Sequence, residues 1–371
     1  MSAHAPSRPA APPLPAPARP VAARARRGRT VRLGRGGALS ARVDGRSAAV
    51  CAVLAALVVL VGAVSLGTGD YPLSVPEVLR TLAGRGERGA EFIVLGLRLP
   101  RLVTGLLVGV ALGVAGAVFQ LVTRNPLGSP DVIGFTQGAV TGALVVLLVL
   151  GGAGAAVPAG AVLGGCATAL AVHLLARGGG AAGHRLVLVG IGLTAVLQAA
   201  NNYLLTRADV DRAQAAQVWI TGSLNGRGWE QALPLGAGLA LLLPVALVLS
   251  RPLGLLELGD DTARALGVRV GPVRTGVLAV GVVVTALAAM AAGPVAFVAL
   301  AAPQVARRLT RAAGPGLVAA GLTGALVVAV SDLVAQRAFA PTQLPVGVVT
   351  GAVGGLYLAH LLASQWRRGR G

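Results

Sequence analysis

The chain of 371 residues contains no lysine, and that absence removes a class of function. A glycine-rich loop that cradles nucleotide phosphates needs its lysine, so this chain is not itself a P-loop ATPase. Cysteine is nearly absent as well. Its two copies, Cys51 and Cys166, fall inside apolar runs, with neither metal-ligand spacing nor the numbers of a disulfide framework. Charged residues make up 12% of the chain, about half the share of an ordinary soluble domain. The four histidines, His4, His173, His184 and His360, are scattered, and no hydrolase or metalloprotease motif is present. Nothing here builds a catalytic or metal centre. No carboxylate occupies the middle of an apolar run, Asp332 coming nearest. Ion-coupled secondary transporters ordinarily carry intramembrane carboxylates, so that class is disfavoured, and a membrane-embedded enzyme lacks its catalytic groups.

What is present is apolar length. Hydrophobic residues account for 55% and the mean hydropathy is +0.76. The runs are long, continuous and rich in Ala, Leu and Gly rather than alternating, which predicts an all-α polytopic membrane protein. About ten spans can be drawn, near 48–66, 102–121, 132–150, 156–175, 186–205, 233–249, 273–290, 293–308, 317–334 and 344–362. Residues 1–46 are rich in Arg, Pro and Ala and cannot bury a core, so they read as a disordered tail; 47–365 form the membrane domain and 366–371 a basic C-terminal tail. The net charge of +19 does not imply nucleic-acid binding, because the arginines gather in the tail and in alternate loops. That alternation places both termini in the cytoplasm and lets the tail touch anionic lipid heads. In the fifth span Gln198, Asn201 and Asn202 share one helical face. Buried amides in lipid either bond a neighbouring helix or line a wet path.

One stretch is more specific. Arg98-Leu99-Pro100-Arg101 opens a span in which Gly105, Gly109 and Gly113 recur every four residues, with Ala117 continuing the step. Small residues on one face let helices approach closely in lipid. Gln120 follows, then Arg124-Asn125-Pro126-Leu127-Gly128-Ser129-Pro130, which no helix can run through. Between the sixth and seventh spans lies a polar segment, 251–270, in which Asp260 or Asp261 can cap a short helix and Gly267 can end it.

These motifs, in this order, resemble the FecCD family of membrane subunits of ATP-binding-cassette (ABC) importers for ferric siderophores, haem and vitamin B12. The resemblance covers nearly everything after about residue 48 and is closest to permeases of the ferric-enterobactin type. It implies a type II importer fold like that of the vitamin B12 importer. A separate ATPase subunit uses the ATP, and this chain binds no cofactor. A second permease, usually a different chain, and an extracytoplasmic siderophore-binding protein complete the expected assembly in the cytoplasmic membrane. Carried over by position, Arg98 and Arg101 are candidates for docking the binding protein, and Arg337 joins them as the neighbour of Gln336, which holds the position of a third family arginine. Asn125 and Leu127 match gate positions, with Gln198, Asn201 and Asn202 along the path. Gly259, Asp260, Asp261, Ala263, Leu266 and Gly267 match the segment that couples to the ATPase. The chain departs from the family at Gln304, Gln336 and Gln343, where His, Arg and Glu are usual. The expected cargo is a ferric siderophore, catecholate type favoured, with cobalamin or haem as alternatives within the family.

Overall fold

The computed structural model describes residues 28–33, 39–176, 182–311, 314–340 and 342–368. It divides into two units, residues 1–45 and 46–371. In the first, strands β1 (Gly28–Leu33) and β2 (Leu39–Asp44) pair antiparallel, with Gly28 opposite Asp44 and Leu33 opposite Leu39. Alternating residues such as Thr30-Val31 and Ala41-Arg42-Val43 allow this pairing in a segment whose composition suggests no regular structure. The rest of the expected tail, residues 1–27 and 34–38, lies outside the described residues.

From Gly45 onward every element is helical. The first is α1 (Gly45–Gly67), followed by the short α2 (Val75–Leu82) and α3 (Arg88–Glu91). A π-helical stretch, Phe92–Arg98, then leads into α4 (Leu99–Thr123). Next come α5 (Phe135–Leu144), extended by a π-helical stretch to Val149, α6 (Ala156–Leu175) and α7 (Ala182–Arg207). They are followed by α8 (Val210–Ile220), α9 (Trp229–Leu256), α10 (Asp260–Ala265) and α11 (Val270–Ala292). The chain closes with α12 (Val298–Thr310), α13 (Leu317–Arg337) and α14 (Val346–Arg368).

Among the described residues seven helices are long and apolar enough to cross a membrane, and Phe135–Val149 and Val346–Ala359 are shorter apolar helices. The ten expected spans map onto these nine segments plus α12. The difference in count is one of length. At 1.5 Å per residue the 13 residues of α12 reach about 20 Å, short of a bilayer core of about 30 Å.

The core is built by α4, α9, α11, α12 and α13. Val108, Leu112, Val118 and Leu121 of α4 meet Leu235 and Leu239 of α9, Val277 and Val284 of α11, Val298 of α12 and Val328 of α13. Seventeen of the 25 residues of α4 are buried, so the helix is enclosed on nearly all sides. Its glycines explain how. A Cβ on Gly109 would lie 2.4 Å from the Gly324 carbonyl oxygen, and one on Gly324 would lie 2.1 Å from the Gly109 oxygen. The backbones of α4 and α13 therefore touch, and nothing larger than hydrogen fits between them. By contrast α1 and α7 leave large apolar residues exposed, among them Val59, Leu60, Ile191, Val196 and Tyr203. Among candidate spans such faces suit lipid or a partner helix.

Candidate functional site

Three regions bring the singled-out residues together. The first lies where α4 begins. A recess of about 450 Å³ is lined by Asp70, Arg98, Arg101, Arg227, Gln336, Arg337 and Gln343, together with backbone and apolar groups. The three candidate docking arginines thus meet in one place. They are not held alike. Arg98 donates to the carbonyls of Leu66 at 2.8 Å and Tyr71 at 2.5 Å, which ties the loop after α1 to the start of α4. Arg101 is tied more strongly. It donates from Nε and Nη2 to the Asp332 carboxylate, at 3.1 and 2.9 Å, and from Nη1 to Gln343 Oε1 at 2.9 Å. The pair is nearly dry, with side-chain exposures of 14% and 7%. Gln336 adds a bond to Asp332 Oδ2 at 2.8 Å. Two of the departures from the family pattern, Gln336 and Gln343, are therefore both ligands of this one pair. Arg227 completes the cationic lining and was not singled out by the sequence. Its guanidinium is pushed below the usual arginine range by desolvation and donates to the Ser223 carbonyl. The glycines flanking it and the nearby Trp229, whose indole donates to Leu95 O at 3.1 Å, were its only sequence signal.

The second region is a larger recess of about 760 Å³ that runs from the turn after α4 to the loop before α9. It is lined by Asn125, Pro126, Leu127 and Asp131 from the turn and the segment after it, by Thr136 and Gln137 of α5, by Phe297 and Leu300, and by Thr221 and Gly347. Asn125 shapes the turn, its side-chain oxygen accepting from the Leu127 amide at 2.9 Å. Asn201 does not line the recess but bonds Gln137 Oε1 at 3.2 Å, so this amide joins α7 to α5. Its own oxygen is buried without a partner among the described residues. Gln198 and Asn202 are exposed on α7 and do not line this recess. The sequence missed Asp131, whose carboxylate accepts from Thr136 Oγ1 at 2.5 Å and from the Phe297 amide. An acid just ahead of an apolar run with a hydroxyl in its first turn was the available clue.

The third region surrounds α10. Gly259 and Gly267 flank it in the left-handed half of backbone space, at φ 107° and 84°, so the helix is set off by two sharp bends. Ala263 is fully buried, whereas Leu258 and Leu266 are 61% and 57% exposed. The two adjacent acids divide. Asp261 is entirely exposed and pairs with Arg264 one turn on. Asp260 turns to the helices, bonding Arg274 at 2.8 Å and Arg124 at 2.5 Å. Burial raises the Asp260 carboxyl, but the Arg274 and Arg124 guanidiniums outweigh it and hold the group below its ordinary value, so it stays ionised at neutral pH. Gln304, the third departure, donates to Pro126 O at 2.7 Å and so holds the turn from the α12 side. No group of His, Cys, Asp and Glu able to hold a metal occurs among the described residues.

Comparison with known proteins places this geometry in context. The model of the FecCD transport family matches residues 57–364. The ferric enterobactin transport system permease protein FepG of Escherichia coli is 44% identical over 326 residues, covering 88% of this chain and 99% of that protein. The achromobactin transport system permease protein CbrC of Dickeya dadantii is 38% identical over 312 residues, covering 83% and 89%. Among solved structures, an inward-facing conformation of a metal-chelate type ABC transporter superposes with a TM-score of 0.77 at 28% identity, covering 85% of this chain and 99% of that one.

Proposed function

The chain belongs to the FecCD transport family, and from that premise we propose that its cargo is a ferric siderophore of the catecholate type. It is a multi-pass protein of the cytoplasmic membrane, the permease subunit of an ABC importer for ferric chelates, and not itself an enzyme. The cargo reading rests on one observation: similarity to a ferric enterobactin permease extends over nearly that protein's whole length, at higher identity than to the achromobactin permease. The recess lined by Asn125, Thr221 and Gly347 supplies one wall of a path. A second permease would supply the other. In this reading the Arg98 recess faces outward and receives the acidic lobes of a siderophore-binding protein, while α10 faces the cytoplasm and docks on the ATPase.

Uptake of labelled ferric complexes tests the cargo. Deleting the gene is expected to abolish uptake of a ferric catecholate while leaving a ferric hydroxamate, haem and cobalamin unaffected, and restoring the chain reverses the loss. Selective loss of haem or cobalamin would overturn the cargo and keep the family.

Two substitutions test the faces. Leu266 is exposed, so Leu266→Asp leaves the fold within about 0.5 kcal/mol of the original. It is expected to stop uptake while ATP hydrolysis continues; normal uptake would remove α10 from the ATPase contact. At the other end Arg337→Glu is expected to slow association of the binding protein roughly tenfold at low salt, since rim charges act mainly on encounter rate. Unchanged association kinetics in surface plasmon resonance would take Arg337 off the docking face.

A further inference from the structure

The turn that lines the large recess and the helix assigned to the ATPase face are joined by one side chain. Arg124 caps α4 in the left-handed conformation, at φ 51°, a position that glycine or asparagine would fill at lower cost. An arginine there needs a reason, and its contacts give one. Nε and Nη2 both donate to the carbonyl of Leu256, the last residue of α9, at 3.0 and 2.7 Å. Nη2 also meets the carboxylate of Asp260, the first residue of α10. Arg124 therefore grips both sides of the elbow by which α10 hangs from α9. Arg274, in the first turns of α11, holds the same carboxylate through two bonds, at 2.8 and 3.0 Å. Removing Asp260 would leave two guanidiniums facing each other across its place.

Beyond Arg124 the chain is stiff. Asn125 closes the turn through its side chain onto Leu127 and through its carbonyl onto Gly128, both at 2.9 Å. Gln304 of α12 holds Pro126 from the opposite side. Three hydrogen bonds thus tie the few residues between the elbow contact and Leu127 on the recess wall.

We infer that the Arg124–Asp260 ion pair, braced by Arg274, is the link through which movement of α10 shifts the turn Asn125–Leu127. The inference rests on the permease reading above. It gives the two acids of α10 separate tasks: Asp261 faces the ATPase, and Asp260 faces the membrane domain. Arg124 and Asp260 are positioning residues, since neither need touch cargo. Their effect is a bias between two arrangements of the turn, driven by binding energy at a remote subunit.

The test uses the complex purified through a tag on this chain, reconstituted in lipid, with Cys51 and Cys166 replaced by serine and a reporter Leu127→Cys. Reaction of the reporter with a membrane-impermeant maleimide is timed without nucleotide and with ATP plus vanadate. In the reporter background the two rates are expected to differ at least fivefold. In Arg124→Gln, and separately in Asp260→Asn, the ATPase is expected to stay bound and to hydrolyse ATP while the ratio falls below twofold. The double variant should be no worse than either single, because the two share one interaction. Asp260→Glu, which keeps the charge, should restore a nucleotide-dependent ratio, which a merely structural role would not predict. Two variants at opposite ends of the pair keep the test decisive if one fails to assemble. Labelling that follows nucleotide in an assembled Arg124→Gln or Asp260→Asn complex overturns the link. Recovery of the unaltered chain with no ATPase overturns the permease reading itself, and the link with it.

Discussion

Asp332→Ala is expected to destabilise the folded chain by about 3–5 kcal/mol, because it leaves the Arg101 guanidinium buried and unpaired. The geometry sets the size. Arg101 is 14% exposed and Asp332 7%, so water from the recess can replace only part of the solvation that the carboxylate provides. Gln343 and Gln336 remain nearby, but an amide oxygen carries no full charge and cannot replace the ion. Unfolding in detergent, followed by a scaffold-sensitive dye, measures the loss. Arg101→Met combined with Asp332→Leu should recover most of the stability, since replacing both ions by apolar groups is often neutral. A single substitution costing less than about 1 kcal/mol would show that the pair behaves like an exposed one. The pair also bears on docking. An arginine engaged by an internal carboxylate has less to offer an acidic partner, so Arg98, Arg227 and Arg337 carry more of the cationic character of the recess.

Gly109→Leu is expected to abolish the folded permease. Even the first added carbon would sit 2.4 Å from Gly324 O and 2.6 Å from Ala325 Cα, against backbone that cannot rotate aside. Alanine alone should cost about 1–3 kcal/mol as overpacking, and leucine forces α4 off α13. Size-exclusion chromatography of the expressed protein reads the outcome as loss of the monodisperse peak. Gly192→Ala, in mid-α7 with open space around its Cβ, is the control and should be neutral or stabilising by up to about 1 kcal/mol from helix propensity. If the two variants behaved alike, close packing at Gly109 would not be what holds these helices together.

The spans were legible because lipid imposes them. The run at 156–175 is α6 residue for residue, and the fifth run, 186–205, falls within α7. A continuous apolar stretch of about 20 residues has few other ways to satisfy its backbone. Short elements were not legible in the same way. Val210–Ile220 forms α8 inside what reads only as a polar stretch, and the run at 293–308, read as a full span, becomes helical only from Val298, as the 13 residues of α12. The π-helical stretches at Phe92–Arg98 and Val145–Val149 left no compositional trace either. For the site, the motif residues Arg98 and Arg101 could be found by pattern, with Arg337 only as the neighbour of a replaced motif position, and so could the boundaries of α10. Their partners could not. Arg101 and Asp332 are 231 positions apart, and Arg124 and Asp260 are 136 apart. Which acid meets which arginine is decided by helix packing, of which a single sequence carries no direct record. The three glutamines show the difference well. Sequence marks Gln304, Gln336 and Gln343 only as departures, whereas the fold gives each a bond.

The contact between α4 and α13 acts as a ratchet stop. Sliding one helix along the other would carry the Gly324 carbonyl off its glycine, and the next glycine on that face of α4, Gly105 or Gly113, lies four residues or about 6 Å away. The same holds in the other direction at Gly113, where a Cβ would lie 2.2 Å from Ala320 O. These two helices are thus locked in register and can move only as one body, like the stator of a motor. Strain applied at either end must be discharged elsewhere, in turns and in helices with looser seats. The permease therefore divides mechanically before any partner is considered, into a frame that keeps its dimensions and a lighter set of parts that can give.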